Sequence, residues 1–376
     1  MLPFARMLAY GNKIEVPNIK KIVSSANLEF ILLDDGVLYA HGEDSSYTAG
    51  LTTNFSSLGD VKQITTGVTN VWTDYLTTVI KENKIFCSGQ TYAFTNASTI
   101  QQGFADYSSY FTGIDITQIK KMVCGFTFFI LMMDGTLYGK GWNRSGSLGL
   151  GHTNYVSQWT VLDTGVDTIY GDSGGDTLYK VKLDGKVYGA GSNNASQVQN
   201  GTSAALYFVP LFDDISYDIT FSAMISIGFM MGTSDNKIYT TGTTLSGTGN
   251  HSKVFSINFA IGDMSNIYNK EMSRASASSI FLINETTNEL MVSGYTPFNG
   301  SSSNILPLVS NFEVCNFPAF DQSMRISFPG YWCTFYNDNN SVWMNGYAPN
   351  VVNGKNYSMC SIPLSETFTK QIDLPF

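Results

Sequence analysis

Seven glycines at an even spacing constrain this chain more than any other feature. Gly42, Gly89, Gly141, Gly191, Gly242, Gly294 and Gly346 each close a short apolar segment, and they are separated by 47, 52, 50, 51, 52 and 52 residues. The clearest copy is 128–141. It holds an apolar run, the pair Asp134-Gly135, then Leu137-Tyr138 ahead of the closing glycine. Asp-Gly is a hairpin signal, because Gly accepts the positive φ that a tight turn needs. Segments 31–42 and 181–191 repeat the pattern around Asp35-Gly36 and Asp184-Gly185. Later copies place Asn236, Asn288 and Asn340 near the turn, and Asn tolerates a left-handed backbone.

A further apolar strand precedes the first four hairpins, at 19–23, 61–64, 119–123 and 166–169. Short apolar pieces in the long connections, such as 159–162 and 206–209, supply a fourth strand. A period near fifty, built from several short strands, is the signature of propeller blades. The expected fold is all-β: one domain over 1–376, a seven-bladed β-propeller with about four antiparallel strands per blade. Residues 7–11 read as an isolated hairpin strand and 368–372 as an isolated opening strand. The ring is therefore expected to close through N- and C-terminal strands, and an eighth, partial blade stays open.

Composition agrees. Charged residues are only 14% and aromatics 14%, no long segment shows helical periodicity, and no linker divides the chain. The net charge of −9 argues against nucleic acid and anionic membrane, which need a basic face. No apolar run is long enough to span a bilayer, so no membrane insertion is expected. The first residues lack the basic and apolar segments of a secretory signal. The five cysteines are odd in number and widely spaced, which favours buried free thiols over disulfides.

The segment from Gly141 through Asn143, Gly146, Leu148 and Gly149 to Gly151 resembles the hallmark of the regulator of chromosome condensation repeat family. That hallmark reads Gly-x-Asn-x-x-Gly-Gln-Leu-Gly-x-Gly, and Ser147 stands here in the Gln position. Residues 191–197 are a decayed copy, and 42–51 and 242–249 are fainter. The resemblance implies a seven-bladed propeller. It implies no single function, since members include a GTPase exchange factor that binds chromatin, a bacterial enzyme inhibitor, and surface and phage structural proteins.

The hallmark glycines lack the Gly-Lys-Ser/Thr order of a phosphate loop, so Gly141, Asn143, Gly146, Leu148, Gly149 and Gly151 are read as a structural turn. His41, His152 and His251 are scattered, without metal spacing. The doublets Asp34-Asp35 and Asp213-Asp214 point to opposite faces if extended, unlike a glycosidase pair. No catalytic residue, metal or cofactor is expected. Loop aromatics remain: Tyr92, Phe94, Tyr107, Tyr110 and Phe111 after Gly89, and Tyr155 and Trp159 after the hallmark. They either cover the core or form a contact surface, since Tyr and Trp give large area at low entropy cost. The expected function is a non-enzymatic binding or structural propeller. Low charge, Asn/Ser/Thr/Tyr richness and divergent loops suggest a bacteriophage virion protein, either a tail fibre or tip or a capsid accessory. It would be found in the virion or outside the lysed host, contacting a cell-surface glycan, a receptor protein or other virion proteins. The alternative is a regulatory protein-binding propeller, such as an exchange factor or an enzyme inhibitor, with a cytoplasmic location.

Overall fold

The computed structural model describes residues 17–25, 28–42, 47–52, 61–172, 174–198, 203–212, 218–225, 228–242, 253–268, 279–294, 312–315, 317, 320–327, 332–337, 342–347, 358–359 and 369–370. Among these, the strands pair antiparallel, in chain order. Five sheets have four strands each, over 19–65, 68–106, 119–163, 166–211 and 219–256. A three-stranded sheet over 279–314 and a five-stranded sheet over 325–370 follow. The expected four-stranded blade is thus complete five times among the described residues.

The first strands of neighbouring sheets run against one another and are innermost. Ile119–Cys124 contacts Val68–Trp72 on one side and Val166–Gly171 on the other. The last sheet returns to the first. Arg325 donates to the carbonyls of Lys20 (3.1 Å) and Ile19 (3.2 Å), and the Ile22 N–H donates to the Tyr336 hydroxyl. At the C-terminal end, Thr369–Lys370 pairs with Val342–Tyr347 inside the last sheet. The N-terminal piece at 7–11, expected to share in ring closure, lies outside the described residues.

The glycine period has a steric cause. Gly42, Gly89, Gly141 and Gly191 hold φ between 111° and 117°, a region closed to most side chains. A Cβ would stand 2.6 Å from Tyr75 O at Gly89, 2.6 Å from Phe126 O at Gly141, and 2.0 Å from Asp176 O at Gly191. In each case the third strand leaves its sheet directly beneath the turn joining strands one and two. The hairpins also couple successive sheets. Gly36 O accepts the Val68 amide and Gly135 O accepts the Val166 amide, so these two hairpin tips hold the start of the next sheet.

The second strands are buried along their whole length, as at Leu28–Leu33, Thr127–Met132 and Gly228–Thr233. Both faces pack on neighbouring sheets, so these strands read as continuous apolar runs rather than alternating ones. Apolar side chains fill the joints: Leu76, Phe128 and Ile130 between the second and third sheets, and Tyr179, Val181 and Phe229 between the fourth and fifth. Cys87, Cys124 and Cys315 are buried free thiols.

Candidate functional site

The hallmark loop follows the third strand of the third sheet, and its polar groups are spent internally. Asn143 is fully buried; its Oδ1 accepts the Leu148 amide (3.0 Å) and its Nδ2 donates to His152 O (2.7 Å). The Ser147 hydroxyl donates to Gly175 O at 2.6 Å. Leu148 is buried in the joint with the fourth sheet. Gly146, Gly149 and Gly151 have positive φ, and a Cβ on them would strike Leu206, Phe208 and Tyr207. The loop thus lies flat on the outer strand of the fourth sheet, Ala204–Leu211. The decayed copy keeps the same bond, with Asn193 Oδ1 accepting the Val198 amide at 2.8 Å.

The loop aromatics divide into two groups. Phe94, Tyr107, Tyr110, Phe111 and Trp159 form one cluster with Phe128, at ring separations of 5.1–5.8 Å. Trp159 Nε1 donates to Tyr110 O (2.9 Å), and the Tyr155 hydroxyl donates to Ala93 O beside them. Phe94 and Phe111 are buried in the joint between the second and third sheets, whereas Tyr110 is 39% exposed. At the centre lies a cation that no sequence motif marks. Lys140 is buried, and its ammonium lies 5.5 Å, 5.6 Å and 5.7 Å from the rings of Phe94, Tyr110 and Trp159. Burial lowers its pKa, and no carboxylate pairs with it among the described residues.

Tyr92 belongs elsewhere. It stacks on Trp142 (5.0 Å, 12° between planes) and meets Phe126 edge-on, while Phe126 stacks on Tyr75. Arg144 covers the Trp142 ring and bonds Asp176 Oδ2 at 2.9 Å. These half-buried rings lie on the face formed by the turns between strands one and two. Tyr75 and Phe126 are 51 residues apart, so alignment of the repeats on themselves would have paired them.

The opposite face carries the hairpins. A cavity of about 960 Å³ opens there between the fourth and fifth sheets, with an apolar floor that includes Val181, Leu211, Phe221 and Met231. Leu183 and Asp184, at a hairpin tip, and Asp218 stand on its rim. Among the described residues no cluster of three His, Cys, Asp or Glu could hold a metal ion.

No family model matches the chain. A stretch of 97 residues is 32% identical to the human RCC1-like G exchanging factor-like protein, covering 25% of this chain and 21% of that protein. The mouse protein of the same name is 31% identical over a stretch of equal length. The match spans about a fifth of these relatives' length. Among solved structures, human WBSCR16 superposes with a TM-score of 0.62 over 84% of this chain and 86% of that one, at 14% identity. The class these findings define is an all-β propeller with antiparallel four-stranded blades. Within that class, one quarter of the chain is similar in sequence to the RCC1-like relatives, and the fold is similar to that of human WBSCR16.

Proposed function

We propose that this chain is a regulatory, protein-binding propeller of the exchange-factor kind, with seven blades. The observation that carries the reading is the 97-residue match to relatives named as G exchanging factor-like proteins. It favours the regulatory alternative over the virion role suggested by composition, so glycan and virion partners are not carried forward. The seven-blade count is supported by the seven closing glycines and by the bonds between the last sheet and the first.

The partner is then a folded protein, a small GTPase in the first instance. The chain would act by holding one conformation of it, not by bond chemistry of its own. Size-exclusion chromatography with nucleotide-free small GTPases tests this. Co-elution with one of them, reversed by added GDP, is expected. Independent elution from every member of a broad panel counts against the reading.

A further inference from the structure

We propose that the groove between the fourth and fifth sheets, on the hairpin face, docks a basic protein segment that carries an apolar anchor. The cavity of about 960 Å³ has side chains of Val181, Leu211, Phe221 and Met231 in its floor. Its rim presents Leu183, which is 71% exposed and the most exposed large hydrophobic among the described residues. The turn itself does not require this leucine. Asp34 and Ser234 hold the equivalent tip position in the first and fifth sheets, and the hairpin is fixed by Asp184 accepting the Lys186 amide. A large apolar side chain held out on a rigid tip beside an apolar cavity is the arrangement of an interface anchor and its pocket.

Charge selects the occupant. Every described hairpin on this face carries a carboxylate: Asp35, Glu82, Asp134, Asp184, Asp235 and Glu285. At the groove, Asp218 is exposed and makes no ion pair among the described residues. The nearby bases are already committed. Lys182 bonds Asp163 Oδ1 (2.8 Å) and Thr164 O, and Lys186 faces Asp184. Three carboxylates (Asp167, Asp184 and Asp218) line the cavity against two ammonium groups (Lys182 and Lys186), a balance that attracts Lys or Arg and repels acidic partners. A second copy of this chain does not fit. Its net charge is −9, and its Lys-Lys pairs at 20–21 and 120–121 lie on inner strands. The inference does not depend on the exchange-factor reading, because it concerns where any protein partner makes contact.

Fluorescence anisotropy with a labelled Lys-Arg-Leu-Lys-Phe-Lys peptide tests it, with a Glu-for-Lys/Arg peptide as counterpart. The basic peptide is expected to bind saturably and the acidic one not to bind. Leu183→Ser and Asp218→Lys should each weaken binding about fivefold or more, with unchanged melting temperatures. Glu285→Lys makes the same charge change on the same face, in the sixth sheet, and should alter binding by less than about twofold. Absence of saturable binding overturns the proposal, as does a Glu285→Lys effect equal to that of Asp218→Lys, which marks diffuse attraction. So does unweakened binding by Leu183→Ser and Asp218→Lys. A dimer in sedimentation that Leu183→Ser dissolves would assign the groove to a second copy instead.

Discussion

The Lys180 ammonium lies 2.7 Å from Asp163 Oδ2, joining the second strand of the fourth sheet to the outer strand of the third. Lys180 is buried, with its charge 3.5 Å from the Phe208 ring centroid. Burial pushes the Asp163 carboxyl up, but hydrogen bonds from Lys180 and Lys182 outweigh this and hold its pKa at about 2. Removing the carboxylate strands a buried ammonium. Asp163→Asn is therefore expected to cost about 2 kcal/mol in urea unfolding at neutral pH.

The same pair fixes an acid dependence. The folded pKa of Asp163 is below its unfolded value of roughly 3.9, so its contribution is complete above that value. It is lost as pH falls toward about 2, because the unfolded state binds the proton first. Across that window the wild type should lose stability more steeply than Asp163→Asn. Parallel acid titrations of the two would contradict the assignment.

In the hallmark loop, Asn143→Ala leaves the buried Leu148 amide and the His152 carbonyl without their partner. The expected loss is about 2 kcal/mol. Asn193→Ala should cost a similar amount, since Asn193 makes the corresponding bond to Val198. Equal stability of Asn193→Ala and wild type would show that the decayed copy has lost the role.

Much of this architecture is legible in the residues themselves. The closing glycines announce a turn that admits no Cβ, and the Asp-Gly pairs announce the hairpins, so the blade rhythm reads directly from the chain. The long connections are less legible, because their contacts depend on which blade stands next to which. Phe94 and Phe111 look like loop residues, yet they are buried because a neighbouring sheet covers them. Lys140 was invisible for the same reason: its three rings come from two different blades. The repeat did hold a usable signal for such contacts. Lys21 and Lys121 stand two periods apart, and each lays its ammonium on an aromatic ring of the following blade, Trp72 or Tyr170. The groove beside Leu183 left no trace in sequence, since its floor joins residues from separate strands.

The glycines of the repeat can be ranked by what a methyl group would meet. At Gly185, in a hairpin turn with φ +81°, a Cβ would have nothing within 4 Å, whereas at Gly191 it would stand 2.0 Å from Asp176 O. Gly185→Ala is expected to cost about 1 kcal/mol through backbone strain alone. Gly191→Ala should cost about 3 kcal/mol or more, because strand and turn must separate as well. Thermal unfolding of the two variants gives the order directly, and the reverse order would refute the steric account of the repeat.

Lys140 gives a stability signature of the same sign as Asp163, at the alkaline end of the pH range. Burial lowers its folded pKa, so the wild type gains stability as pH rises from that folded value to the unfolded one of roughly 10.4. Lys140→Met removes the titration. The stability of the variant relative to wild type should fall as pH is raised through this window. A constant difference would mean that the three rings offset the burial of the ammonium in full.

Exchange-factor activity is tested most directly by the release of a fluorescent GDP analogue from small GTPases at increasing concentrations of this chain. A protein-binding regulator of the exchange-factor kind should accelerate release from at least one GTPase, with a rate that rises and saturates. Release that stays flat for every GTPase at all concentrations, from a chain whose melting curve shows it folded, would contradict the account.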